Sequence, residues 1–532
     1  MNFTSIYVEY RQTGFFSKIV LDYLKGDDKL VPFYEHPVSI EGIKAAINAR
    51  KKYATNRKIL AGELNKQYYN VTVSDKLQAN IDALLDENTF TVTTAHQPNI
   101  FTGHLYFIYK ILHTIKLAGE LKAQIAGCNF VPVYYMGSED ADLEELGEVN
   151  INGKKYQWKT EQKGAVGRMK IDKAFISLID EIEGQLSVEK FGKEILASVR
   201  KAYSINKTIE QASFEFTHEL FADYGLVILL PDNAALKNEF SAVIKKELNE
   251  QFSNKAVAET IVLFPPEYKV QAAGREINLF YLKDDTRERI EKGNNRWSVI
   301  NSKLNFDEKE MSDELKDHPE RFSPNVILRP VFQETVLPNI AFIGGGGELA
   351  YWLELKKIFE AVQVPYPVLI LRNSFMLVNK KTASKMNDLQ MAAVDFFEEE
   401  NDLITTLVKR ETTLQLNLEK EKSTLKDLYA EMQSAANLVD STLQGHVSAL
   451  HSQALKRIEL LEKKMLKAEK IKFEAQQRQI KKIKETLFPG GSLQERIDNL
   501  LPYYSIFGKD LIDMLYKNST GLQQNFCIVT ED

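Results

Sequence analysis

Only two cysteines, Cys128 and Cys527, occur in 532 residues. That scarcity excludes a disulfide framework and a cysteine-rich zinc site, and it fits a reducing cytoplasm. No apolar run approaches the roughly 18 residues of a membrane span. The N-terminal MNFTSIYVEYRQTGFFSK has neither the basic start nor the apolar core of a signal peptide. A cytoplasmic location without a membrane partner is expected. Positive charge is not in excess either: a formal net charge of −6 leaves no overall basic footprint for nucleic acid. The phosphate loop GxxxxGK[ST] is missing too, because the four glycines at 344–347 are followed by Glu348 and Leu349. No metal site is expected.

The chain is too long for one ordinary core, so two or three domains are expected. Its organising stretch is residues 91–116, TVTTAHQPNIFTGHLYFIYKILHTIK. Phe90 and Val92 close a β-rich run, and Leu105, Ile108, Ile111, Leu112 and Ile115 recur at helical spacing. Between strand and helix stand His96, Gln97, Asn99, Thr102, Gly103 and His104. In an open α/β sheet that is the carboxyl end of a strand, where ligands bind and helix N–H groups attract a phosphate or carboxylate. A plainer account makes Pro98 and Gly103 a turn and Thr102 a helix cap. It leaves two imidazoles and two side-chain amides in one turn unexplained. Gly103 and His104 are also similar to the end of the HxGH signature of nucleotidyltransferases and class I aminoacyl-tRNA synthetases, with Phe101 in place of the first histidine.

Residues 128–136, CNFVPVYYM, read as a buried strand that ends at Gly137, Ser138, Glu139 and Asp140. A right-handed strand–helix–strand crossover puts both strand ends on one edge and brings His96 and Gln97 toward Glu139 and Asp140. The run SEDADLEE, with Asp142, Glu144 and Glu145, reads either as an acidic helix start or as carboxylates that recognise an amine, act as a general base or hold a divalent ion. Spacing does not separate these roles. His96, Glu139 and Asp140 are the catalytic candidates; Gln97, Asn99, Gly103, His104, Ser138 and Asp142 are binding candidates.

Further along, residues 225–230, GLVILL, read as another buried strand, His218 as structural, and residues 1–89 as largely helical. Arginines near 275–289, Arg287 among them, are expected to face an anionic substrate. In residues 323–356 the segments 326–328 and 340–343 are strand-like, and the glycines lead into a helix near Glu348. A ligand is expected against Gly345 and Gly346, flanked by Asn325, Arg329 and Glu348. A last strand at 365–370 delivers Arg372. No proline then appears until Pro489, and Leu403, Leu407, Leu414, Leu418, Leu425, Val447, Leu450, Ile458, Leu461 and Met465 keep three-and-four spacing. This predicts an antiparallel coiled-coil hairpin with its bend near Gly445 or earlier. The expected domains are a 1–375 core, a 376–488 coiled coil and a 489–532 tail docked on the body.

The segments HQPNIFTGHLYFIYKI, VPVYYMGSEDADLEEL, RFSPNVILRP and LPNIAFIGGGGELAYWLELK, with the late coiled coil, resemble the bacillithiol-biosynthesis cysteine-adding enzymes over the whole chain. The resemblance implies an α/β, Rossmann-like parallel-sheet core of the nucleotidyltransferase/synthetase kind, a C-terminal helical coiled coil and a homodimer. The implied reaction is a ligation of cysteine to the amino group of glucosaminyl malate, the last step to bacillithiol. Amide formation from a free carboxylate is uphill in water, so an acyl phosphate or acyl adenylate, and hence ATP, is expected on chemical grounds. In that scheme helix termini hold phosphate, Arg329 or Arg372 meets the malate carboxylates, and an acidic residue deprotonates the amine. Two other readings stand beside it: a nucleotidyltransferase-like enzyme on another small substrate, and a non-catalytic coiled-coil scaffold.

Overall fold

The computed structural model describes residues 2–271 and 274–532. The chain divides into two compact units, one of Phe3–Met376 with Ser492–Val529, the other of Leu377–Gly491 with Thr530–Asp532.

The first unit is built on a five-stranded parallel sheet. Its strands are β1 (Thr89–His96), β2 (Asn129–Met136), β3 (Val227–Leu229), β4 (Asn339–Gly344) and β5 (Val368–Leu371). Their spatial order is 3-2-1-4-5, that of a doubly wound Rossmann sheet. β1 is central and buried along its whole length, which suits its run of Thr and Val, β-branched residues at home in a strand covered on both faces. The threonine hydroxyls do not go unpaired: Thr93 donates to Asn339 Oδ1 at 2.8 Å and Thr94 to the Ile343 carbonyl at 2.8 Å, stitching β1 to β4. The long helix α1 (Leu105–Gln124) returns the chain from β1 to β2 and is buried over most of its surface.

The stretch before β1 is largely helical, as expected, apart from the strand Phe3–Val8, and one expectation is corrected. Residues 326–328 are a turn; the strand lies earlier, at Phe322–Pro324, and Pro330 stands in the first turn of the helix Arg329–Val336, where its missing N–H costs nothing. Phe322–Pro324 is the edge of a second, five-stranded antiparallel sheet that also carries Thr286–Gly293.

In the second unit α2 (Glu419–Val439) and α3 (Leu443–Ile471) form the expected antiparallel hairpin. Leu418 N–H donates to Glu462 Oε1, Tyr429 packs on His451, and Gln433 donates to Ser448, so partners converge toward the turn at 440–442. The turn precedes Gly445, as the sequence allowed.

Candidate active site

All five strands of the parallel sheet end at one cleft of about 350 Å³, opening at the point where the strand order reverses. β1 contributes His96 and then Gln97, β2 leads to Gly137, Glu139 and Asp140, and β3 to Pro231. β4 leads to Gly345, Gly346, Gly347 and Glu348, and β5 to Arg372. The crossover geometry joins the first two loops directly: Gly137 N–H donates to the His96 carbonyl at 2.8 Å, and Gln97 Nε2 donates to Asp140 Oδ2 at 3.1 Å. Asn325 and Arg329 also line the cleft.

Five binding candidates do not line it. Asn99, Gly103 and His104 build the loop behind it. Phe101 and Thr102 hold φ of +50° and +70°, and Gly103 follows at +61°; a Cβ on Gly103 would come within 2.8 Å of the Asn99 side chain. Such left-handed backbone is disfavoured for Phe and Thr, so something must hold it. Asn499 does so, its Nδ2 donating to the Phe101 and Gly103 carbonyls, while Phe101 N–H donates to Tyr203 Oη at 3.0 Å. His104 is turned to the Ile497 carbonyl at 3.2 Å. Thr102 is not the helix cap; His104 holds that position and its side chain makes no capping bond. Ser138 is buried under Gly167, and Asp142 caps the short helix Leu143–Leu146 by accepting from Glu145 N–H at 3.1 Å.

The cleft holds two charge neighbourhoods. In one, His96 is 9 % exposed and its Nε2 has no partner. Burial, reinforced by Lys110 and by the nearby His104, Arg372 and Arg329, holds this imidazole well below its usual range, so the ring is neutral. Lys110 is buried, donates to the Ala95 carbonyl at 2.9 Å and pairs with Glu348. Burial pulls its ammonium downward, and Glu348 opposes this. Arg372 donates to Glu495 Oε1 at 2.7 Å and to Ser374 Oγ at 2.9 Å, and its Nε is buried without a partner. Arg329 donates to Tyr351 Oη at 2.8 Å. In the other neighbourhood Glu139, Asp140 and Glu145 stand with Arg287, which donates to Ser323 Oγ and stacks on Phe280. Among the described residues neither Arg287, Arg329 nor Arg496 has a carboxylate in ion-pair reach. Burial pushes the Glu145 carboxyl up, helped by Asp142 and Asp140.

Two of the backbone groups expected to take an anion are already bonded. Leu105 N–H donates to the Asp498 carbonyl at 2.9 Å, and Gly345 N–H to Glu348 Oε2 at 2.8 Å. Positive charge in the cleft also comes from side chains, and several were missed in the sequence. Lys110 is one charge in the middle of an apolar helix, a signal that was there to be read. Tyr106 sits on the same helix, and Arg496 comes from the far end of the chain, where no local pattern marks it. Among the described residues no group of three or more His, Cys, Asp or Glu could hold a metal ion, and no helix is long and apolar enough to cross a membrane.

A Rossmann-like body with a polar strand-end cleft, carried with a helical coiled coil, defines the class of an α/β protein built to bind a small charged molecule. Comparison with known proteins makes this specific. The family description "Bacillithiol biosynthesis BshC, N-terminal Rossmann-like domain" matches residues 1–373, and "Bacillithiol biosynthesis BshC, C-terminal coiled-coil domain" matches residues 375–531. The chain belongs to the BshC family. Relatives named "Putative cysteine ligase BshC" include that of Flavobacterium johnsoniae, 39 % identical over 98 % of this chain and 99 % of its own. Those of Christiangramia forsetii and Flavobacterium psychrophilum are each 39 % identical over 98 % of both chains.

Proposed function

We propose that this protein is a cysteine ligase that joins the carboxyl group of cysteine to the amino group of glucosaminyl malate, the last step of bacillithiol synthesis. The observation that carries the reading is the convergence of five strand ends on one cleft that holds acceptors for an amine beside guanidinium groups, of which Arg329 and Arg496 have no carboxylate in ion-pair reach among the described residues. A substrate with an amine at one end and carboxylates at the other matches that division. Glu139 and Asp140 receive the amine and take its proton as it attacks. Arg329 and Arg372 meet carboxylates, for which a planar guanidinium is suited. His96, kept neutral, lines the cleft beside the reacting groups.

ATP is proposed as co-reactant because the amide bond does not form spontaneously from a carboxylate; it supplies the activation of the cysteine carboxyl. The guanidinium groups of Arg287 and Arg496 suit its polyphosphate by charge and shape. A homodimer is proposed through the coiled coil, where Leu428, Met432, Leu450 and Leu461 remain open to solvent.

Thiol profiling of cells with and without the gene tests the reading. Loss of bacillithiol with accumulation of glucosaminyl malate is expected; an unchanged profile contradicts it.

A further inference from the structure

Next to the cleft lies a buried ion cluster centred on a lysine that no strand-end motif announces. Lys237 belongs to the short helix Ala234–Asn238 just after β3 and is 1 % exposed. Its ammonium has three acceptors, one for each proton: the Glu139 carboxylate, Asp232 Oδ1 at 3.1 Å and the Glu320 carbonyl at 2.8 Å. These come from the loops after β2 and β3 and from the turn that leads into Phe322–Pro324, another contributor to the cleft. Asp232 is itself held by both arms of Arg168, at 2.7 and 2.9 Å. Glu139 is thus gripped through Oε1, whereas its Oε2 has no donor among the described residues and is not sealed from solvent. Glu139 lines the cleft.

We propose that Lys237 is a positioning residue of the ligation: it fixes Glu139 by one oxygen and leaves the other facing the cleft as an ionised acceptor for the proton of the attacking amine. This rests on the proposed ligase reading. In that step the amine nitrogen forms the bond to the acyl carbon of cysteine activated by a nucleoside triphosphate. The leaving group departs with its electron pair, and the ammonium proton passes to Glu139 Oε2.

The charges around Glu139 set the direction of the test. Burial lifts its carboxyl; Lys237 opposes this most, Asp232 adds to it, and Arg287 opposes it more weakly. Arg168 and Glu210 face the same cluster, and Glu210, half-buried near Asp232, is pushed up to about 7 by desolvation and by Asp232. A merely structural lysine would stabilise the fold without setting the acid limb of the reaction's pH profile.

The experiment follows the Glu139 carboxyl by ¹³C spectra of full-length protein labelled at glutamate Cδ, assigned with Glu139→Gln, alongside the pH profile of kcat/KM. In Lys237→Met the Glu139 titration and the acid limb of the profile should both move up by about one pH unit or more, with roughly a tenfold loss at pH values below the limb that vanishes as pH rises above it. Lys237→Arg should restore most of the wild-type limb. Asp232→Asn, which keeps the lysine, should move both the other way. If Lys237→Met does not fold, Lys237→Gln takes its place, with the same upward shift expected. A Glu139 titration unmoved in the folded variants overturns the proposal. A wild-type protein that makes no bacillithiol defeats the ligase reading instead, and the carboxyl spectra still show whether Lys237 controls Glu139.

Discussion

His113 should make the protein acid-sensitive, by an amount that can be worked out. It lies on α1, one turn beyond Lys110, and is fully buried. Its Nε2 is 2.6 Å from the Gly521 carbonyl and therefore carries the proton; its Nδ1 accepts from Asn373 N–H at 3.1 Å. Both nitrogens are thus committed, one of them to the residue that follows Arg372. Burial brings this imidazole down to about 4. Because the folded value lies below the unfolded one near 6.5, the unfolded chain binds a proton the folded chain refuses. The stabilisation is complete above about pH 6.5 and is lost as pH falls toward the folded value. Each pH unit is worth about 1.4 kcal/mol, so the loss is about 2 kcal/mol at pH ~5 and about 3 kcal/mol by pH ~4. Urea unfolding of wild type and His113→Gln at about pH 7.5 and about pH 5 measures it. The variant should be less stable at the higher pH and should lose about 2 kcal/mol less on acidification. The buried His36 and His96 and the half-buried His104, also held below the usual range, contribute equally to both proteins and cancel. The same pH dependence in both, within about 0.5 kcal/mol, would refute the reasoning.

Four other substitutions address the cleft and the coil. Asp140→Asn and His96→Gln should each lower ligation by roughly a hundredfold or more, and Asp140→Asn should shift stability by less than ~0.5 kcal/mol; wild-type turnover in both denies these residues a role. Arg329→Ala removes a guanidinium with no carboxylate partner, so KM for glucosaminyl malate should rise roughly tenfold to a hundredfold with kcat little changed. An unchanged KM would mean the malate carboxylates bind elsewhere. Leu461→Asp, at a half-exposed apolar position of α3, should shift a dimer toward monomer by sedimentation; an unaltered dimer with a folded coil would place the subunit contact outside this face.

What the sequence revealed was local. The β-branched run of β1, the helical stripe of α1 and the polar breaks after each strand carry their own periodicity and punctuation, and the crossover rule alone brings Gln97 to Asp140. The hairpin of α2 and α3 was legible for the same reason. What stayed hidden depends on contacts far apart in the chain. Asn499 supports Phe101 and Gly103 across nearly the whole sequence, Glu495 holds Arg372, and Lys237 reaches Glu139. Polar residues near a strand end therefore divided into two kinds that composition does not distinguish: Gln97 turns into the cleft, whereas His104 bonds backwards to Ile497. The strand expected at 326–328 failed on a readable sign, since Pro330 marks a helix start.

The most direct measurement is reconstitution: purified full-length protein, glucosaminyl malate, cysteine and ATP with magnesium, with thiols derivatised and identified by mass. Bacillithiol should appear in proportion to enzyme, with one ATP consumed per amide bond formed, and should vanish with Glu139→Gln. No bacillithiol from folded protein supplied with all three reactants, or transfer of the nucleotide to another small substrate in its place, would contradict the account.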